Sequence, residues 1–182
     1  EKGNVLDKGT VQTFSGVSFD SLGRQTDYTL ATDDGNLRGV QKVSGMSYDA
    51  LGRLSAIDTD LTESSLDPEL KYSRTTKTSQ KNMLYDLWGN LIDYSKTITE
   101  GGSVTTHRPT KLAYDAKGQV TDSLIHVTDN RGKDTYDLGA GLKYNKLGQL
   151  NGGFQGTVDA KDGMKGSLAA APIDILLEAL KA

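Results

Sequence analysis

Apolar side chains enter this chain in alternating pairs that lead straight into a turn signal, and the combination recurs five times. Val17 and Phe19, Met46 and Tyr48, Met83 and Tyr85, Leu112 and Tyr114, and Leu142 and Tyr144 stand two residues apart, the spacing that sets both side chains on one face of a β-strand. Each pair is followed at once by Asp20, Asp49, Asp86, Asp115 or Asn145, and three residues later by Gly23, Gly52, Gly89, Gly118 or Gly148. An Asp or Asn that opens a turn accepts backbone hydrogen bonds from the residues after it, and the glycine supplies a positive φ. This chemistry predicts a tight β-hairpin, a type I turn closed by a left-handed glycine and a G1-type bulge. The aromatic positions 19, 48, 85, 114 and 144 lie 29, 37, 29 and 30 residues apart, which is the spacing of a repeated supersecondary unit.

Hairpin closure dictates what faces what. The motif acid falls opposite the residue after the glycine, pairing Asp20 with Arg24, Asp49 with Arg53, Asp86 with Asn90, Asp115 with Gln119 and Asn145 with Gln149. One step outward Tyr48 meets Leu54, Tyr85 meets Leu91, Tyr114 meets Val120 and Tyr144 meets Leu150, whereas Phe19 meets Gln25. Aromatic beside aliphatic is a stabilising cross-strand pair, so Phe19, Tyr48, Tyr85, Tyr114 and Tyr144 are the expected repeat core. Tyr28, Ile57 and Tyr94, each five residues past its glycine, fall on the opposite face unless a bulge returns them.

Halfway between the motif turns stand further turn signals, at Asp33-Asp34-Gly35-Asn36, Glu100-Gly101-Gly102-Ser103 and Asp129-Asn130-Arg131-Gly132. The chain should therefore run up and down as an all-β antiparallel meander of about ten strands, curled or barrel-like. Residues 59–69 lengthen the second interval and read as a surface loop. The glycine run Asn151-Gly152-Gly153-Phe154-Gln155-Gly156 lacks a following helix and phosphate-loop lysine, and marks a bulge or a close approach of two backbones. The expected organisation is a repeat region over residues 1–158, a linker over 159–170, and a C-terminal α-helix over 171–182 packed on the same domain. Pro172 suits a first helical turn, and Ile173, Leu176, Leu177 and Leu180 recur at helical spacing.

Composition narrows the chemistry. Only 35% of the 182 residues are hydrophobic and 7% aromatic, so the core should be thin or distributed. The net charge of −3 gives no electrostatic reason to expect nucleic acid or an anionic membrane, and no apolar run is long enough for a membrane-spanning helix. There is no cysteine, which removes thiolate zinc sites and cysteine nucleophiles.

His107 and His126 are the two histidines, without a Gly-x-Ser-x-Gly elbow or a His-x-x-x-His pair, and both read as structural or solvated. The motif acids are explained by turn formation. Asp58, Asp60 and Glu63 lack the glycine and bidentate glutamate of a calcium loop. No catalytic residue, cofactor or metal ligand is assigned.

At Tyr48-Asp49-Ala50-Leu51-Gly52-Arg53-Leu54 the chain resembles the YD-repeat, or Rhs-like, family. The resemblance covers most of residues 11–158, although the spacing is longer than is usual there and the autoproteolytic Asp-Pro signature with following glycines is missing. It implies β-hairpin repeats within a large secreted or cell-surface bacterial protein. Leu22, Leu51, Trp88 and Leu147 precede the turn glycines, where a turn would expose them. They either fold over to cap the core or form a binding rim, with Trp88 as anchor.

The expected function is a non-enzymatic structural or adhesive module, extracellular or at the cell surface, contacting neighbouring repeats of a larger chain or another protein. A binding module for a glycan, peptide or encapsulated cargo is the alternative, and a carboxylate-dependent hydrolase the third reading.

Overall fold

Each Tyr-Asp segment closes the turn that its composition predicts. In the computed structural model, which describes residues 10–67 and 69–159, the amide of the motif Asp or Asn donates to the carbonyl of the residue after the glycine at 2.8–2.9 Å in all five copies. The glycine amide returns to the carbonyl of the acid position at 3.0–3.2 Å. The five glycines sit at φ between 75° and 88°, which a side chain would strain.

These turns and the intervening ones join ten strands: β1 (Val11–Phe19), β2 (Gln25–Asp33), β3 (Leu37–Tyr48), β4 (Leu54–Ser65), β5 (Ser73–Tyr85), β6 (Leu91–Glu100), β7 (Ser103–Tyr114), β8 (Val120–Asp129), β9 (Asp134–Tyr144) and β10 (Leu150–Asp159). Their order in the sheet is their order in the chain, an all-β antiparallel meander. The sheet is not closed. β1 and β10 are its edges, which corrects the expectation of a barrel.

A barrel requires a fixed stagger between its strands, and the bulges of these hairpins cancel in pairs. In β1–β2, β3–β4, β7–β8 and β9–β10, one extra residue on the outgoing strand is offset by one on the return strand. Ser44↔Asp58 and Tyr48↔Leu54 thus stand the same number of residues apart on both strands.

The expected loop over residues 59–69 is mostly strand. β4 continues through Ser65, paired residue for residue with β3 from Ser44↔Asp58 to Leu37↔Ser65. The alternation of Thr59, Leu61 and Glu63 with Asp60, Thr62 and Ser64 fits a strand, and the acids that suggested a loop are tolerated because Asp60 and Glu63, on opposite faces, are each only half-buried. The C-terminal helix expected over 171–182, and the linker from residue 160 onward, lie outside the described residues.

The described residues form two compact units, those up to 79 with 98–102, and those of 80–97 with 103 onward. In the first, direct cross-strand partners define one apolar face, with Tyr28 opposite Val43 and Leu30 opposite Gln41, itself opposite Leu61. Val43 is buried there, and the Phe14 and Tyr28 rings meet at 5.7 Å. The other face carries Arg38, Lys42, Asp58 and Asp60.

In the second unit the bulge at Gly141 shifts the alternation. Gly139 shares the side of Ser123 and Leu142, to whose side chains a Cβ there would come within 2.7 and 3.2 Å. The reverse face of β8–β10 holds Leu124 opposite Leu138, His126 opposite Tyr136, and Phe154 and Val158 opposite Ala140 and Tyr136. This reverse face is itself buried, so in this unit the Tyr-Leu face is not the sole core.

Candidate functional site

The turns of each unit are the candidate sites, and the Asp or Asn of each is engaged in building its turn. Oδ1 of Asp20, Asp49, Asp86, Asp115 and Asn145 accepts from the amides two and four residues on, at 2.8–3.0 Å. Oδ2 of Asp20 and Asp49 accepts from the Nε of Arg24 and Arg53 at 2.7 Å, and Oδ2 of Asp86 from the Asn90 amide at 2.8 Å. Asn145 instead donates to Gln149. The expected polar pairs therefore form in these four turns. Asp129 repeats the same turn chemistry with Gly132 and Lys133 but follows Thr128, so the aromatic is what distinguishes the motif turns.

Donors on the carboxylates lower their pKa. The Arg24 amide bonded to Asp20 and the Arg53 amide bonded to Asp49 are the leading causes, outweighing partial desolvation, which acts in the opposite sense. At Asp86 desolvation pushes upward most strongly, yet the Asn90 side-chain and backbone donors together prevail and its pKa is also lowered. A carboxylate with a depressed folded-state pKa stabilises the fold above its unfolded value, 3.8 for these groups, and that stabilisation is lost as pH falls through the folded value. Urea midpoints should therefore decline as pH drops below about 4, with a shallower decline in Asp49→Asn. An unchanged pH profile in that variant would remove the turn carboxylate from the account.

Successive turns interlock through the aromatic. The hydroxyl of Tyr48 donates to the carbonyl of Gln25 at 2.6 Å, that of Tyr144 to Val120 at 2.8 Å, and that of Tyr114 to Leu91. In each case the acceptor lies two residues past the glycine of the preceding repeat. The Arg24 guanidinium also stacks over the Tyr48 ring at 4.6 Å, a cation–π contact. Asn90 Oδ1 and Gln119 Nε2 lie so close to the next glycines, Gly118 and Gly148, that a Cβ would sit 3.0 and 3.3 Å away.

Tyr48, Tyr114 and Tyr144 are thus half-buried linkers between hairpins, while Tyr85, also half-buried, has its hydroxyl 3.6 Å from the Met83 sulfur of its own strand. Phe19, expected in the core, is 63% exposed on edge strand β1 and faces Gln25, because only one neighbouring strand flanks it. Tyr48→Phe, Tyr114→Phe and Tyr144→Phe should each lose about 0.5–1.5 kcal/mol, or roughly 2–4 °C in Tm per kcal/mol. Phe19→Tyr should leave Tm unchanged in the same calorimetric series.

Three residues before the aromatic lies a second repeated feature, the bulge. Gly16, Gly45, Asn82 and Gly141 all have φ between 55° and 62°, and in the fourth repeat the bulge falls between Pro109 and Lys111. Asp27 accepts from the Gly45 amide at 3.3 Å and Asp122 from the Gly141 amide at 3.0 Å, each acid lying four residues past the preceding turn glycine. The recurrence of Gly or Asn at one fixed offset was the signal in the sequence, and reading only the apolar residue beside it misses it.

The expected rim residues do not fold over the core. Leu22, Leu51, Trp88 and Leu147 are 74–85% exposed, and Leu87 beside Trp88 is 97% exposed. An open groove of about 730 Å³ runs from Trp88 along Ile92, Leu112 and Tyr114 to Asp115 and Lys117. The Trp88 tip presents apolar surface while the Asp86 carboxylate below it is engaged in the turn.

His107 lies apart from the turns. Burial lowers its pKa, Lys96 acts in the same direction and Asp137 opposes both, while Asp137 also accepts from Thr157 at 2.9 Å. His126 stacks on Tyr136 with ring centroids 4.9 Å apart, and its Nε2 is 3.2 Å from Asp134 Oδ1, to which the Thr128 hydroxyl donates at 2.8 Å. Neither histidine is part of a motif turn, and Asp60 is paired with Lys77 at 3.6 Å.

No family model, curated protein or solved structure matches this chain.

Proposed function

We propose that the chain is a non-enzymatic structural or adhesive repeat module of a large extracellular or cell-surface bacterial protein, which contacts neighbouring structure through its apolar turn tips. The observation that carries this reading is the exposure of Leu22, Leu51, Trp88 and Leu147 on turns whose acids are engaged in backbone closure. Large apolar side chains held out on rigid tips serve contact, because they add nothing to the packing beneath them. The resemblance of the motif to YD repeats supports the same reading. So does the open sheet, whose edge strands β1 and β10 each have one neighbour in the strand order, leaving room for further hairpins. The finer architecture we propose includes the short amphipathic helix over residues 171–182.

A second reading, a binding module for a glycan or peptide, is favoured by the groove beside Trp88. A single comparison separates them. Sedimentation of the chain across concentration, with a glycan array and a panel of chromogenic ester and glycoside substrates, should give association that Trp88→Ala and Leu147→Ala weaken. Glycan signals that vanish in Trp88→Ala with no change in sedimentation would favour the second reading. Turnover abolished by replacing a carboxylate outside the turns would overturn both.

A further inference from the structure

One motif carboxylate keeps an oxygen that its turn does not use. Asp115 Oδ1 accepts from the Lys117 and Gln119 amides at 2.8 and 2.9 Å, as the acid does in every copy, but among the described residues nothing donates to its Oδ2. In the other three acid turns that oxygen accepts from Arg24, Arg53 or Asn90. The residue at the equivalent position here is Gln119, whose side-chain nitrogen is turned to the next repeat and lies 3.3 Å from where a Cβ on Gly148 would sit. Asp115 is half-buried and Lys117 is exposed, and neither has an ion-pair partner among the described residues.

Both residues line the groove that also contains Trp88, and all of them lie in the second unit. Its volume of about 730 Å³ falls within the roughly 300–1,000 Å³ of small-molecule sites. Trp88 is 85% exposed, yet its backbone is held, since its amide donates to Asp86 Oδ1 at 2.9 Å and the Gly89 amide donates to the Asp86 carbonyl at 3.2 Å. A platform already fixed by its turn loses little freedom on binding. The groove thus brings together an aromatic surface, an acceptor on Asp115 and a donor on Lys117.

We infer that this groove binds a neutral glycan, with the C–H face of a pyranose ring laid on Trp88 and its hydroxyls shared between Asp115 Oδ2 and the Lys117 ammonium. The inference rests on the binding-module reading and names its ligand class. The charges select that class. A cationic ligand is repelled by Lys117 and an anionic one by Asp115, whereas a hydroxyl both donates and accepts and so satisfies the two together. A purely apolar ligand would desolvate both charges without giving either a partner. The C–H face of a sugar carries partial positive charge, which complements the negative face of an indole ring, and it covers apolar surface that the turn leaves in water.

Trp88 is the single tryptophan of the chain, so its emission reports this groove alone. Titration of the full chain with neutral oligosaccharides of glucose, mannose, galactose, xylose and N-acetylglucosamine should shift that emission saturably with at least one of them, with little dependence on added salt. Asp115→Asn is the decisive variant, because Asn145 builds the same turn with its Oδ1 at 2.9 and 3.0 Å. The turn is kept while the Oδ2 acceptor becomes a donor, and affinity should fall about tenfold with the far-UV circular dichroism unchanged. By calorimetry, Lys117→Met should weaken binding severalfold and Trp88→Ala should abolish it, whereas Leu147→Ala, at a tip outside the groove, should leave it unchanged.

Sugar binding that keeps its full strength in Asp115→Asn and Lys117→Met overturns the inference. So does a response to polygalacturonate oligomers or to an arginine-rich peptide where every neutral sugar fails, although that result retains the binding-module reading with a charged ligand. Silence from the neutral sugars, the acidic oligomers and the peptide alike overturns the inference and that reading together.

Discussion

Leu124→Ala and Leu138→Ala should each destabilise the protein by about 2–5 kcal/mol, whereas Trp88→Ala and Leu147→Ala should change stability by no more than about 0.5 kcal/mol. Leu124 and Leu138 face each other across β8 and β9 and are 2% and 4% exposed, so truncation removes buried methyl groups and leaves a cavity that the flanking strands cannot close. Trp88 and Leu147 are larger or equal in apolar area, yet they are 85% and 82% exposed, and their removal takes away almost nothing that folding had withdrawn from water.

Urea denaturation of the four variants measures the contrast directly. If Trp88→Ala proved as destabilising as Leu124→Ala, the tip would belong to the core and the contact rim would fail as a reading of function. The order of effects runs against residue size, which makes the comparison a test of position and not of chemistry.

The turns were legible in the sequence because their causes are local. Asp49 needs only the amides of Leu51 and Arg53, and Gly52 only its own φ, so five consecutive residues contain the whole explanation and five copies make it unmistakable. The cross-strand partners of Tyr48, Tyr114 and Tyr144 followed from the turn, since a hairpin loop of fixed length fixes register.

What the sequence did not disclose depends on neighbours far along the chain. The Tyr48 hydroxyl reaches a carbonyl 23 residues away, and no local pattern announces an acceptor that any residue can supply. The bulges were partly visible, as Gly or Asn three residues before the aromatic, but their effect on which face Gly139 and Leu138 occupy requires the partner strand as well.

The burial of the reverse face of β8–β10 was hidden for a related reason. Tyr136, Leu138 and Ala140 alternate as in any half-buried strand, and nothing in that alternation tells which of the two sides is withdrawn from solvent. The exposed tips were misjudged in one of their two readings because apolar residues are expected inside. A turn whose backbone is already closed by Asp and Gly has no slack with which to fold Leu51 or Trp88 back over the sheet.

Gly153→Ala should be among the most damaging single substitutions in the repeat region, at roughly 3 kcal/mol or more when strain and overpacking act together. Gly153 has φ +106°, and a Cβ there would sit 2.7 Å from Leu142 Cα, 2.8 Å from the Gly141 carbonyl oxygen and 2.9 Å from the Leu142 amide nitrogen. All three neighbours are backbone, so none can rotate aside.

Two other glycines separate the contributions. Gly52 has φ +80° with nothing within 4 Å of the hypothetical Cβ, so Gly52→Ala should cost only the left-handed strain, about 1–2 kcal/mol. Gly152 has no positive φ and meets only the Lys143 side chain at 3.6 Å. Gly152→Ala should therefore be neutral or stabilising by about 0.4–1 kcal/mol.

Thermal melts of the three variants should rank Gly153→Ala lowest, then Gly52→Ala, then Gly152→Ala, and amide exchange in Gly153→Ala should accelerate first along β9 and β10, where the two bulges meet. A Gly153→Ala melt equal to that of Gly52→Ala would mean that the backbones of β9 and β10 separate freely at this point. The glycine run in β10 would then be a matter of local conformation alone and not of close approach.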